Sequence, residues 1–377
     1  MSDYLNIADF LMPVNKHQLS DDQGYKEDQI GKVIAAYEEE FPELEEADLV
    51  LVGCGEQRGA GIITCSSAAD EVRREFYKLF YWHTDIKLAD IGNMRIGNSL
   101  TDTYAALKLV LHELVTIGKT VVVIGGSHDL TLAQYYAYAD SQKPIEAAGI
   151  DAFIDINVDS PLRSENFVME LLTTEPNFIK HYNHIGFQSY FVHPRLLETM
   201  DKLRFDCYRV GKVKERIEEM EPVLRNCHLL SFDMAALAYA FAPANSASPN
   251  GFNGEEACTL MQYTGMNEQL RSIGIYGYAP ENDREALTAK QISHMLWYLI
   301  DGKSRSKREA TFTEQEAFNH FHTTFAELDT VFLQSKRTGR WWMQLPDKQY
   351  IACSHNDYLQ ASQNEIPERW LRIHERP

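Results

Sequence analysis

Short apolar runs separated by longer amphipathic stretches recur through the middle of this chain, and that alternation limits the fold more than any other feature. ADLVLVG (47–53), KTVVVIGG (119–126), AAGIDAFI (147–154), YNHIGFQ (182–188), FDCYRV (205–210), CHLLSFD (227–233) and SIGIYGY (272–278) read as buried strands. Between several of them, stretches such as TYAALKLVLHELVTIGK (103–119) and HPRLLETMDKL (193–203) repeat apolar residues at three and four, the spacing of one helical face. Strands that alternate with helices predict an α/β fold: three layers, α-β-α, around a mostly parallel central sheet.

Ligands of such sheets gather beyond the carboxyl ends of the strands. His128 follows VVVIGG, Asp151 and Asp155 follow AAGI, and Asp233 ends HLLSF, so four potential metal ligands are expected at the carboxyl ends of three strands. If DAFIDIN (151–157) continued as strand, Asp151, Phe153 and Asp155 would share one face. The plainer reading is that the three aspartates cap nearby loops, with His128 donating to one of them. Three converging carboxylates without a cation repel one another, and at least one must hold its proton more tightly. Ser127, His128 and Asp129 do not make a nucleophilic triad, because sequence neighbours in a turn do not face one another productively.

Composition narrows the partners. The 377 residues carry a net charge of −19, a field that disfavours nucleic acid and anionic membranes. The start, MSDYLNIADFLMPVNK, lacks a basic segment followed by an apolar run, and no stretch reaches membrane-spanning length, so a cytoplasmic protein is expected. The six cysteines have no paired short spacing and read as buried free thiols. After residue 302 the pattern changes. SRSKRE (304–309) reads as a solvated connection, FTEQEAFNHFHTTFAELDTVFLQ (312–334) as helical, and TGRWWMQLP (338–346) and QYIACSHNDYL (349–359) as strand and turn. On a helix, His320 and His322 would face different ways, which argues against a metal role. Trp341, Trp342 and Trp370 argue that this α+β extension is packed. The expected organisation is an N-terminal arm (1–45), an α/β domain (46–302) and a C-terminal extension (303–377).

Taken together, GGSHDLT (125–131), DAFIDIN (151–157) and SFDMAAL (231–237) resemble the three metal-binding signatures of the ureohydrolase superfamily: arginase, agmatinase and formimidoylglutamase. GCGEQRGAG (53–61), AADEVRREFY (68–77) and IYGYAPENDREALTAKQISHMLWYLI (275–300) resemble that family's first strand with its glycine-rich turn and helix, and its last core strand and helix. The resemblance implies two manganese ions sharing a water that attacks a guanidinium or formimino carbon. It also implies relatives that form trimers or hexamers, and hence a homo-oligomer. For the first motif the family pattern asks for a histidine, met by His128. For the second it asks for Asp-x-His-x-Asp, met by Asp151 and Asp155 with Phe153 between them. For the third it asks for Asp-x-Asp, met by Asp233 but with Ala235 in the second place. In the family pattern, one ion is held by the four positions retained here, and the two lost positions are the ligands belonging to the other ion alone. The family's substrate-gripping glutamate on the last core strand falls at Gly277, and the arginase proton-shuttle histidine has no counterpart in 157–172.

Two functions follow from this resemblance. In the first, the chain is a ureohydrolase-like protein with one of two manganese sites lost, catalytically impaired or inactive, serving a binding or scaffolding role, with a protein partner recruited through the C-terminal extension. In the second, it is an active formimidoylglutamase-like hydrolase of linear amidine C–N bonds using a single metal ion, with Arg163 or Asn157 orienting a small carboxylate-bearing substrate. The cofactor is accordingly one Mn2+ or another divalent ion, or none.

Overall fold

The computed structural model describes residues 7–21, 24–245 and 247–375. Ten strands form the central sheet: β1 (Leu11–Met12), β2 (Ala35–Ala36), β3 (Leu49–Gly53), β4 (Leu88–Met94), β5 (Thr120–Ile124), β6 (Ile145–Ile150), β7 (Ile179–Phe187), β8 (Asp206–Arg209), β9 (Leu229–Asp233) and β10 (Ser272–Tyr276). Their order is β1-β4-β3-β5-β10-β9-β6-β7-β8, with β2 also on β4, and every pairing is parallel except β1 with β4. The seven expected strands all form. LADIGNM in β4 was not anticipated, and neither were the two short strands through which the arm joins the sheet edge.

The central strands are buried on both sides, which is why they read as unbroken apolar runs. Leu51, Val122 and Ile124 pack with the helices Ala68–Phe76, Gly254–Gly265 and Leu287–Lys307. Val50, Val121 and Val123 face the helices Leu100–Thr116 and Thr131–Ala139 on the other side. Each such side chain contributes about 1.5–3 kcal/mol of burial. The helix starts are written locally: Ser99 and Asp102, and Asn253 and Glu256, form reciprocal capping boxes. Among the described residues no helix is long and apolar enough to cross a membrane.

Beyond the sheet, several expectations need correction. The first four residues of SRSKRE are the last turn of the helix that ends at Lys307, with Ser304 and Ser306 buried and Lys307 paired to Asp48 at 2.8 Å. The stretch 312–334, expected as helix, is a β-hairpin of β11 (Phe318–Phe325) and β12 (Leu328–Ser335). Phe318, Phe321 and Phe325 recur at helical spacing, but on the strand Phe318 packs with Leu333 and Trp342 on one face, while Phe325 and Phe332 fill a small core on the other with Met343 of β13 (Trp341–Gln344). With β14 (Tyr350–Cys353) these strands make a second, antiparallel sheet. His320 and His322 therefore lie on a strand, where residues two apart share a face. Of the cysteines, Cys65 is exposed and Cys207 partly so.

Buried charge fastens this second sheet to the first domain. Arg225 donates to the Trp341 carbonyl at 2.8 Å, lies 4.6 Å from the Trp342 ring centroid and is held by Glu221. Arg340 reaches the Met266 carbonyl at 3.0 Å and Glu309 at 2.8 Å. Removing one partner of such a pair strands the other charge, so Arg225→Ala is expected to cost about 3 kcal/mol. Urea denaturation checks this, together with limited proteolysis, in which segment 310–317 should be cut before the α/β core. An unchanged unfolding midpoint would contradict it.

Candidate metal centre

The sheet order assembles the centre. β5, β9 and β6 end close together, with β10 inserted between β5 and β9, so their carboxyl-end residues reach one volume. His128 sits in the turn after β5, Asp233 is the last residue of β9, and Asp151 is the first residue beyond β6. DAFIDIN is not strand: pairing stops at Ile150 and the chain runs on as a loop, which corrects the expectation that Asp151, Phe153 and Asp155 share a strand face.

Nδ1 of His128 lies 3.1 Å from Asp151 Oδ2, 3.2 Å from Asp155 Oδ2 and 3.6 Å from Asp233 Oδ2, yet makes no well-directed hydrogen bond to any of them. Asp151 and Asp233 use their other oxygens to anchor the loops. Oδ1 of Asp151 accepts from the Phe153 N–H at 3.2 Å, and Oδ1 of Asp233 from the Ala235 N–H at 2.7 Å. The capping expectation thus describes one oxygen of each of these two aspartates, and the second oxygen of each is turned to the imidazole. A ring nitrogen ringed by three carboxylate oxygens and aligned with none fits a divalent cation at this point, in an oxygen-rich set with one imidazole that suits manganese. One ligand atom each from His128, Asp151 and Asp233 lies within 4.8 Å of the others.

The electrostatics agree with that fit. Burial, and then the neighbouring Asp155, pushes Asp151 up to about 6. Burial, and then Asp151, pushes Asp233 up to about 7, and burial also raises Asp155. Burial alone would lower the His128 imidazolium, but the facing aspartates hold it well above its usual range. Without a cation, the cluster holds shared protons near neutrality.

The two positions that lack donors are built differently. The Phe153 ring lies nearly parallel to that of Phe191, with centroids 4.5 Å apart, and Ala235 presents a buried methyl group in the turn after β9. At Gly277, just past β10, φ is +75° and an added Cβ would stand 2.6 Å from the Asp233 carboxylate, so a side chain there is disfavoured twice over.

Arg163 and Asn157 do not face the centre as free groups. Arg163 is bound to Glu170 at 2.5 Å and lies over Tyr104, and the exposed Asn157 meets Glu165 at 3.3 Å. Ser231 was missed: its hydroxyl lies 3.2 Å from His128 Nε2, on the far side of the ring from the carboxylates. It stands two residues before Asp233 in β9, so strand alternation could have found it. Phe167, 4.6 Å from the His128 ring, and Phe191 carried no local signal.

The arginase family profile matches residues 47–301. This chain belongs to the arginase family. Among curated relatives it is 29% identical over 265 residues to a formimidoylglutamase of Staphylococcus haemolyticus, covering 65% of this chain and 82% of that protein. A formimidoylglutamase of Clostridium tetani is 21% identical over 267 residues, covering 66% and 79%. Two solved structures share the fold. Formimidoylglutamase from Bacillus subtilis superposes with a TM-score of 0.64 at 17% identity, covering 74% of this chain and 94% of that one. Trypanosoma cruzi formiminoglutamase, solved with Mn2+2, superposes with a TM-score of 0.64 at 16% identity, covering 73% and 98%. The carboxyl-end cluster of this arginase-family chain thus occurs on a fold whose relatives include a protein solved with two manganese ions.

The raised carboxyls and imidazole give a signed pH dependence. A group whose folded pKa is raised contributes stability that is fully present below its unfolded pKa and is lost as pH rises through the folded value. That loss runs through about 6 for Asp151 and about 7 for Asp233. A cation replaces those protons, so the gap in melting temperature between manganese-loaded and chelator-treated protein should widen between about pH 6 and about pH 8. A gap that stays flat across this window would contradict the shared-proton cluster.

Proposed function

We propose that this arginase-family chain binds one divalent cation rather than two, lacks the hydrolytic power of a dinuclear centre and serves a binding role. One observation carries this reading: three carboxylate oxygens surround His128 Nδ1, making four donors with the imidazole, while the positions that would serve a second ion hold Phe153 and Ala235. A benzyl group and a methyl group have no lone pair to offer a cation.

His128, Asp151, Asp155 and Asp233 would hold the ion. A bound cation lowers the pKa of a coordinated water and so supplies hydroxide near neutral pH, an effect weaker for one ion than for two. The chain's own residues do the rest. Asp151 and Asp233 hold the loops at 153 and 235 through their Oδ1 atoms, which keeps their Oδ2 atoms on the site. Ser231 sits on Nε2 of His128 and favours the ring orientation that directs Nδ1 to the carboxylates. Gly277 supplies no acid for a cationic head group, so guanidinium substrates lack their charge partner. The second reading, a single-ion hydrolase of linear amidines, draws on the completeness of that four-donor set.

Metal analysis of purified, manganese-loaded protein is expected to give close to one ion per chain; two would sink the proposal. Incubation with formiminoglutamate, agmatine or arginine is expected to release no formamide, ammonia or urea above the metal-free control. Turnover of formiminoglutamate at about 1 per second or faster would establish the single-ion hydrolase instead. Phe153→His combined with Ala235→Asp returns two donors and is expected to raise the manganese content towards two. A content that stays at one would show that more than the donors has been lost.

A further inference from the structure

The edge of a β-sheet is a row of unpaired N–H and C=O groups, and folds protect it with short strands, charge, proline or bulges. Three of the four strands that end the two sheet orders are short: β1 has two residues, β8 four and β14 four. The fourth is β11, with eight. Among the described residues β11 pairs with β12 alone, in one unbroken register from Phe318↔Ser335 to Phe325↔Leu328. Its sequence, FNHFHTTF, holds no lysine, arginine, aspartate, glutamate or proline, in a chain of net charge −19. It also lies outside residues 47–301, the part of the chain that matches the arginase family.

The same strand carries His320 and His322, both exposed and both on one face. They share that face with Phe318, while Phe321 and Phe325 belong to the other. Nε2 of His320 lies 3.2 Å from the Gln315 carbonyl oxygen, which can only accept, so Nε2 carries the proton and Nδ1 keeps a lone pair for a metal. Two imidazoles on one strand are half of a tetrahedral ligand set. Antiparallel pairing of β11 with β11 of a second copy supplies the other half. A two-fold axis through the ladder at Phe321 sets His320 opposite His322 of the second copy and His322 opposite its His320, with opposed Cβ atoms about 4.5–5.5 Å apart. On the other face the same axis sets Phe321 opposite Phe321, an aromatic cross-strand pair. Because β11 is uncharged, two copies meet along it without opposing like charges, and a dication held by neutral imidazoles offsets part of the negative charge that both chains bring.

We propose that β11 pairs edge to edge with β11 of a second copy of this chain, joining two four-stranded sheets into one, and that His320 and His322 of both copies hold a zinc ion across the junction. The backbone ladder supplies the pairing, and the ion fixes its register. Imidazole sets suit zinc, whereas the oxygen-rich centre at His128 suits manganese, so the two sites select different ions.

Light scattering on a sizing column, with metal analysis of the eluted peak, tests this on the full chain. The protein is first loaded with manganese, so that the centre at His128 is supplied, and then run with and without zinc. Zinc is expected to double the mass and to bind as one ion per two chains, and manganese alone is expected to leave the mass unchanged. His320→Ala with His322→Ala should lose both the doubling and that zinc while keeping the manganese; both side chains are exposed, so folding should survive, and His320→Gln with His322→Gln is the second variant if the alanine pair does not express. Asn319→Lys with Thr323→Lys leaves both histidines in place but sets like charges opposite each other across the axis, and should also lose the doubling. A mass that zinc does not change, a doubling that manganese produces equally, or one that survives either the histidine or the lysine substitutions would overturn the proposal.

Discussion

Three carboxylates converging on one imidazole nitrogen, at the ends of β5, β6 and β9, are the constraint around which this molecule is organised. Buried like charges are costly, and a fold can hold them only if a cation or shared protons compensate. The parallel sheet makes the convergence possible, because crossover helices return every strand in the same direction and place the carboxyl ends side by side. β10, threaded between β5 and β9, sets the spacing, and its next residue, Gly277, leaves room for Asp233 by having no side chain.

The centre is uneven in a way that a simple tally of residues would hide. His128 and the three aspartates stand around one point, and Phe153 and Ala235 contribute their backbone N–H groups to Asp151 and Asp233.

At the far end of the strands, the extension closes over the sheet edge through arginines: Arg225 and Arg340 beneath Trp342, and Arg369 and Arg372 on the terminal helix. Guanidinium groups suit this task because they pair in two directions and also stack on aromatic faces. The same contacts leave a charged cleft between the two sheets, so the part of the chain outside the family match adds a cavity as well as stability.

Much of this was legible from residues alone. Unbroken apolar runs identified the central strands because both faces of a parallel sheet are buried, and the polar residues ending VVVIGG, AAGI and HLLSF located the candidate ligands. Local sequence carried less about pieces whose partners are distant. β4 was missed because LADIGNM mixes polar and apolar residues, and Asp90 in it is tolerated only because Arg73 and Tyr77 meet it across the fold. The hairpin at 318–335 has helical spacing at Phe318, Phe321 and Phe325, and only pairing of its two strands with each other and with β13 makes it sheet. Sequence by itself determined the fold class and the strand ends at which His128, Asp151, Asp155 and Asp233 gather, since strand periodicity and residue chemistry are local. Tertiary structure alone decided that Arg163 is already bound to Glu170, that Ser231 meets His128 and that Phe153 lies against Phe191, because each depends on which loops the sheet order brings together.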